Sequence, residues 1–195
     1  MAQKLKVITA STRPGRIGPI VSNWVAEQAK EHGGFDVEIV DLASFDLPLL
    51  DEPNHPAMQD YTQEHTKKWS AAIADGDAFI FVTPEYDYFP PASIVNAIQA
   101  LVVEWARKPA GVVGYGGISG GMRAAQELRS LLANMNVMPL KQVVPIPMVF
   151  GDITEEQTLT PNDEVHKGTA GLLDELQVWA EALTPARQEL LRKAA

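Results

Sequence analysis

Short apolar runs alternate along this chain with stretches in which apolar residues recur every three or four positions. Five runs read as strands, at residues 5–10, 37–41, 78–83, 110–115 and 143–148. Between them lie helical sets, the first being Val21, Trp24, Val25 and Ala29, and the second Met58, Tyr61, His65 and Trp69. Ile94, Ile98, Leu101 and Trp105 form a third, and Met122, Ala125, Leu128, Leu131 and Met135 a fourth. Leu172, Leu176, Trp179 and Leu183 mark a last helix. Spacing of three or four puts each set on one helical face, ready to cover a sheet. Near-continuous apolar strands alternating with such helices specify an α/β fold with a parallel sheet covered on both sides. Gly33-Gly34 closes the first helix, and Thr184-Pro185 is expected to restart a short terminal one. Residues 43–57 and 150–165 are the long loops and are expected to border a ligand or a partner subunit.

In open sheets of this kind, ligands collect beyond the carboxyl ends of the strands. The stretch Pro84-Glu85-Tyr86-Asp87-Tyr88 sits there, directly after the third strand and before a helix opened by Pro90-Pro91. A proline-led loop with aromatic faces and rigid backbone groups suits a flat heterocycle. After the first strand, Ser11-Thr12-Arg13-Pro14-Gly15-Arg16-Ile17-Gly18 precedes a helix opened by Pro19. It has a hydroxyl, two guanidinium groups, two glycines and the positive end of a helix, the parts of a monophosphate cradle. A third loop, Gly114-Tyr115-Gly116-Gly117-Ile118-Ser119-Gly120-Gly121, follows the fourth strand and joins the other two at the same edge.

The 195 residues suffice for one domain, expected to span 1–195, which needs neither metal nor disulfide to fold. With no cysteine, thiol-based metal, redox and nucleophile chemistry is excluded, and a reducing cytoplasm is compatible. Residues 1–10 form a β-like run with two lysines, so neither a signal peptide nor a membrane span is expected. A formal net charge of −9 argues against nucleic acid as a partner. Yet no Asp or Glu lies between Lys6 and Glu27, where Arg13 and Arg16 stand, or between Glu104 and Glu127, where Arg107, Lys108 and Arg123 stand. Acid-free, arginine-bearing loops in an acidic chain point to a small anionic ligand.

Other chemistries fit less of the chain. No Gly-Lys-Ser/Thr follows the first loop, which excludes a nucleoside-triphosphate P-loop, and Gly114-x-Gly116 lacks the remainder of a dinucleotide fingerprint. Gly117-Ile118-Ser119-Gly120-Gly121 satisfies G-x-S-x-G, with Asp152 or Asp163 and then His166 in α/β-hydrolase order. That reading would make Ser119 a nucleophile, and it leaves the first two loops without a role. His32, His55, His65 and His166 have no metal-ligand spacing and no carboxylate partner visible in a motif. Glu85 is expected to accept backbone N–H groups rather than to act as a general acid or base. At least one of Tyr86 and Tyr88 is expected to face a ligand ring. Each of the four tryptophans falls on an apolar helix face, in the core or at a subunit contact.

Taken together, Ser11-Thr12-Arg13-Pro14-Gly15-Arg16, the segment from Thr83 through Asp87-Tyr88 to Pro91-Ala92-Ser93-Ile94-Val95-Asn96-Ala97, and Tyr115-Gly116-Gly117 with Ser119-Gly120-Gly121 resemble the NADPH-dependent FMN reductase family. The resemblance extends over nearly the whole chain. It implies a flavodoxin-like three-layer sandwich with a five-stranded parallel sheet and helices on both faces. It also implies an FMN-dependent oxidoreductase: NADPH or NADH reduces bound FMN, and a flavin, quinone or other small acceptor takes the electrons in the same cleft. By resemblance, Ser11, Arg13, Arg16, Ile17 and Gly18 hold the FMN phosphate. Pro84, Glu85, Tyr86, Asp87 and Tyr88 line the ring, and Gly116, Gly117 and Ser119 approach its pyrimidine edge. No catalytic side chain is expected, because the flavin supplies the chemistry. Relatives usually have Asn where Asp87 stands, and a carboxylate there is expected to disfavour added electron density on the ring. A homodimer or homotetramer is implied. A flavodoxin-like carrier passing single electrons to a protein partner is the other reading of the same fold.

Overall fold

The computed structural model describes residues 2–194. Five parallel strands, β1 (Gln3–Thr9), β2 (Phe35–Asp41), β3 (Ala78–Pro84), β4 (Pro109–Tyr115) and β5 (Met138–Ile146), pair in the order β2-β1-β3-β4-β5. The five helices are α1 (Gly18–His32), α2 (Glu64–Ala74), α3 (Ala92–Gln99), α4 (Met122–Asn134) and α5 (Asp163–Ala194). β3 and β4 are buried along their whole length, as apolar runs covered on both faces must be. One core layer packs α1 and α5 against the sheet through Val21, Trp24, Val25, Leu172 and Leu176. The opposite layer packs α2, α3 and α4 through Trp69, Ile73, Ile94, Ile98 and Leu128. This is the flavodoxin-like three-layer sandwich. Its strand order reverses between β1 and β3, which opens a crevice at their carboxyl ends.

Several boundaries differ from the sequence expectation, each for a local reason. α2 begins at Glu64 and excludes Met58 and Tyr61, because the Glu52 carboxylate accepts the Thr62 and Gln63 amides (2.8 and 3.0 Å) and holds the preceding loop extended. α3 ends at Gln99, well before Trp105; the Trp105 indole folds back and donates to the Ile98 carbonyl at 3.1 Å, taking up an acceptor at the helix end. β5 starts at Met138, earlier than its apolar run, and contains Pro139 and Pro145; as an edge strand it tolerates residues with no N–H. No break occurs at Pro185, which lies inside α5. The Arg107 guanidinium donates to the Ala186 carbonyl at 2.6 Å and Arg187 pairs with Asp77, so the segment after the proline is tied to the sheet.

Lys108 is buried at 4% exposure, and its ammonium donates to the Ile73 and Ala74 carbonyls at the end of α2 (2.9 and 3.1 Å). Burial, helped by the nearby Arg187, pushes its pKa down to about 7 from 10.5. A folded value below the unfolded one means that the unfolded chain holds the extra proton between these limits. Stability should therefore rise as pH increases from about 7 toward 10, by at most about 1.4 kcal/mol per pH unit from this group. Urea unfolding at pH 7 and 9.5 checks the slope, and Lys108→Met should flatten it.

Candidate active site

The strand-to-helix loops after β1, β3 and β4, together with the short 3₁₀ turn Val149–Asp152 after β5, enclose a cleft of about 280 Å³. Arg13, Arg16 and Ile17 contribute its first wall, Pro84, Glu85 and Tyr86 the second, and Gly116 and Gly117 the third. Those eight are among the residues singled out from the sequence. Tyr115, Val149 and Phe150 line it as well. Tyr115 ends β4 and opens the third loop's motif, with no ligand contact expected of it, and Val149 and Phe150 lie where β5 gives way to the long loop expected to border a ligand. A larger depression of about 750 Å³ near Leu50, Val103 and Met135 is mostly apolar and has no Asp, Glu, Lys or Arg in its wall, so it is not the candidate.

Between β1 and α1 the chain must turn tightly onto the sheet. A Cβ at Gly18 would stand 2.3 Å from Ser11 Oγ and 2.9 Å from the Tyr115 hydroxyl, so only glycine lets α1 start there. Ser11 is fully buried, and its Oγ accepts a 3.3 Å hydrogen bond from Tyr115. Burial raises the Tyr115 pKa to about 12, so the phenol stays protonated as a donor. The first turn of α1 contains no acidic residue and receives no side-chain cap; Pro19 has no N–H and the Ile20 amide donates to the Ile17 carbonyl, so the Gly18 amide is the one left for an external acceptor.

The two arginines of this loop have different roles. Arg16 donates to both Asp41 carboxylate oxygens (2.6 Å each) and to the Ser11 carbonyl (2.7 Å). Its guanidinium is thus neutralised by the end of β2 and braces the loop, instead of standing free for a phosphate as expected. The hydrogen bond to Asp41 raises the Arg16 pKa further, so the guanidinium stays charged. Among the described residues Arg13 makes no ion pair, and it lies 5.6 Å from the centre of the Tyr86 ring, on the cleft wall.

Around β3 the loop forms a two-residue reversal: the Tyr86 amide donates to the Phe89 carbonyl and the Phe89 amide to the Tyr86 carbonyl, both at 2.9 Å. Asp87 and Tyr88 occupy its two central positions with φ of 49° and 72°. Left-handed backbone at both centres is the primed turn in which Asn and Asp are favoured. That requirement explains an Asx residue at 87. Asp87 and Tyr88 are exposed and stand off the cleft wall, so water screens the Asp87 charge from anything bound within.

Glu85 points the other way, under the third loop. Its carboxylate accepts the Ser119 hydroxyl (2.7 Å), the Arg123 and Ala124 amides (2.9 and 3.3 Å) and the Arg123 guanidinium (3.2 Å). Burial alone would raise its pKa; these donors, led by Ser119, outweigh it and hold the group ionised below the usual carboxylate value. It acts as a remote cap for α4, the acceptor role expected from sequence. Gly121 precedes that helix at φ 80°, with the Tyr115 amide where a Cβ would go, so the loop folds flat against β4.

Ser119 therefore donates to a carboxylate, whereas the α/β-hydrolase triad would place the His166 imidazole there. His166 packs edge-on against Trp24 and bonds Gln28 (3.0 Å), away from this loop. Outside any sequence motif, two histidines have carboxylate neighbours, His32 with Asp174 (3.1 Å) and His65 with Asp51 (3.0 Å); both pairs are surface links. Among the described residues no group of His, Asp and Glu is arranged to hold a metal, and no helix is long and apolar enough to cross a membrane.

Comparison with known proteins agrees with this geometry. An NAD(P)H-dependent FMN reductase of Schizosaccharomyces pombe is 42% identical over 148 residues, 74% of each chain. A quinone reductase of Escherichia coli is 26% identical over 174 residues, covering 85% of this chain and 87% of its own. Among solved structures, the flavoenzyme NAD(P)H:(acceptor) oxidoreductase FerB of Paracoccus denitrificans superposes with a TM-score of 0.72 at 22% identity, over 93% of this chain and 98% of its own. The pattern of the family described as NADPH-dependent FMN reductase matches residues 3–151, the span that contains every residue lining the cleft, and the chain belongs to that family.

Proposed function

We propose that this protein is an FMN-dependent NAD(P)H oxidoreductase that passes electrons to a small acceptor such as a quinone or free flavin. One observation carries the reading. A single cleft joins a cationic, uncapped helix start to an aromatic-faced loop and a pair of glycines, which matches a ligand with a phosphate at one end and a flat ring at the other. The residues fit FMN: among the described residues Arg13 has no carboxylate partner, the Gly18 amide at the start of α1 has no side-chain cap, and Gly18 leaves no Cβ in the turn. Arg13 and the Ile17 and Gly18 amides would hold the phosphate, with Ser11 and Arg16 bracing the loop. Pro84 and Tyr86 would face the ring, with Gly116 and Gly117 along its edge. When bound, the flavin supplies the hydride chemistry. The chain's own contribution is to orient it, to keep Glu85 ionised and committed to the third loop, and to leave the face beside the glycines open to a nicotinamide.

Around this cleft Tyr88, Phe89, Ile118, Met148 and Phe150 are all more than half exposed. So large an apolar rim favours coverage by a second copy of the chain. The absence of cysteine suits the cytoplasm.

Anaerobic addition of NADPH to the flavin-loaded protein is the deciding experiment. The flavin absorbance should bleach directly. A single-electron carrier would stay oxidised until a separate reductase was added, and that result would replace our reading. Ser119→Ala should remain folded and retain most of its NADPH-driven turnover, because only one of four donors to Glu85 is lost. A fast p-nitrophenyl esterase in wild type that falls about a thousandfold in this variant would instead identify a nucleophile.

A further inference from the structure

We propose that Arg123, stacked on Tyr88 at the mouth of the cleft, is the docking group for the phosphates of the reduced pyridine nucleotide. The inference rests on the reductase reading and names the part of the site that selects the hydride donor. Arg123 sits in the first turn of α4 with its guanidinium 4.1 Å from the centre of the Tyr88 ring. One nitrogen donates to Glu85 at 3.2 Å, and half of the side chain (51%) is exposed. A guanidinium held over an aromatic ring leaves its edge N–H groups for an acceptor, and arginine takes phosphate through those donors. Glu85 takes a single bond from one guanidinium nitrogen, unlike the bidentate Arg16–Asp41 pair, so the exposed edge of Arg123 keeps donors for an anion.

The other cations are committed or distant. Arg16 is spent on Asp41, while Arg107 and Lys108 precede β4 at the opposite edge of the sheet, bonded to the Ala186 carbonyl and the end of α2. Arg13 belongs to the opposite wall, at the start of α1. A dinucleotide approaching a chain of net charge −9 needs local attraction, and the chain has no glycine-rich pyrophosphate loop to provide it. Arg123 lies on the ring side of the cleft, where a nicotinamide resting over the flavin would leave its phosphates hanging outward.

The experiment compares NADPH with 1-benzyl-1,4-dihydronicotinamide, a hydride donor without phosphate, using flavin-loaded wild type, Arg123→Ala and Arg123→Lys and a saturating quinone. Arg123→Ala should raise the NADPH KM about tenfold or more, as expected for loss of a charge-assisted contact, with bound flavin per chain and the rate with the phosphate-free donor unchanged. Arg123→Lys should recover part of the loss. An unchanged NADPH KM overturns the assignment, and so does an equal fall with both donors, which would mean that Arg123 merely supports α4 and Glu85. Wild-type protein that holds no flavin would defeat the reading of the cleft itself, an outcome distinct from either.

Discussion

Glu85→Ala should cost the fold about 3 kcal/mol, the upper end for lost hydrogen bonding to a charged group, and should weaken FMN binding because the third loop loses its anchor. The Glu85 side chain is only 9% exposed, so little water reaches the hydroxyl and the two amides left behind. Urea unfolding reports the first effect and flavin titration the second. The same interaction carries a pH signature of the same sign as that of Lys108, stability rising with pH, but on the acid side. Because the folded pKa lies below the ordinary value of 4.5, the stabilisation is fully present above that pH and is lost as pH falls through the depressed folded value. Glu85→Gln should lack this acid-side loss. Equal stability of wild type and Glu85→Ala at neutral pH would show that α4 is capped by other means.

For ligand affinity the largest effect is expected at Arg13. Arg13→Ala should weaken FMN by about 1.5 to 3 kcal/mol, roughly ten- to 150-fold, the range for a charged hydrogen bond, and should leave riboflavin binding nearly unchanged. The selectivity follows from position: Arg13 is the cation of the first loop that Asp41 does not neutralise. Arg16→Ala should instead act through loop order and lower the affinity for both flavins. Fluorescence titration of each protein with FMN and riboflavin separates the cases, and identical FMN affinity in wild type and Arg13→Ala would remove Arg13 from the phosphate site.

What could be read in the amino-acid sequence was whatever depends on neighbours along the chain. Buried strands announced themselves as apolar runs, and the three loops could be placed at one sheet edge because each follows such a run. Partnerships across the chain could not. Arg16 looked like a free cation because Asp41, which captures it, arrives with the next strand. Lys108 looked like part of an exposed basic stretch until the end of α2 was folded over it. The 98/101/105 spacing imitated a helix because Trp105 must return to the Ile98 carbonyl, a contact that a turn and a helix both permit. At Pro185 local chemistry favoured a break, and the ties made by Arg107 and Arg187 hold the chain helical beyond it. Asp87 is the opposite case: its residue type was noticed, yet the reason for it is a backbone angle that becomes visible only when the loop has closed.

The prolines of β5 bear on a hazard that every open sheet shares. An outer strand with a full row of free N–H and C=O groups is a template on which another molecule can lay a strand, and such growth ends in insoluble assemblies. At positions 139 and 145 the outermost strand has no N–H to offer, so an incoming chain would meet gaps near both ends of the edge. The opposite margin, β2, places exposed Asp36 and Glu38 along its length and meets an intruder with charge. A molecule that must leave one end of its sheet open to small reactants has thereby closed its two sides to its own kind.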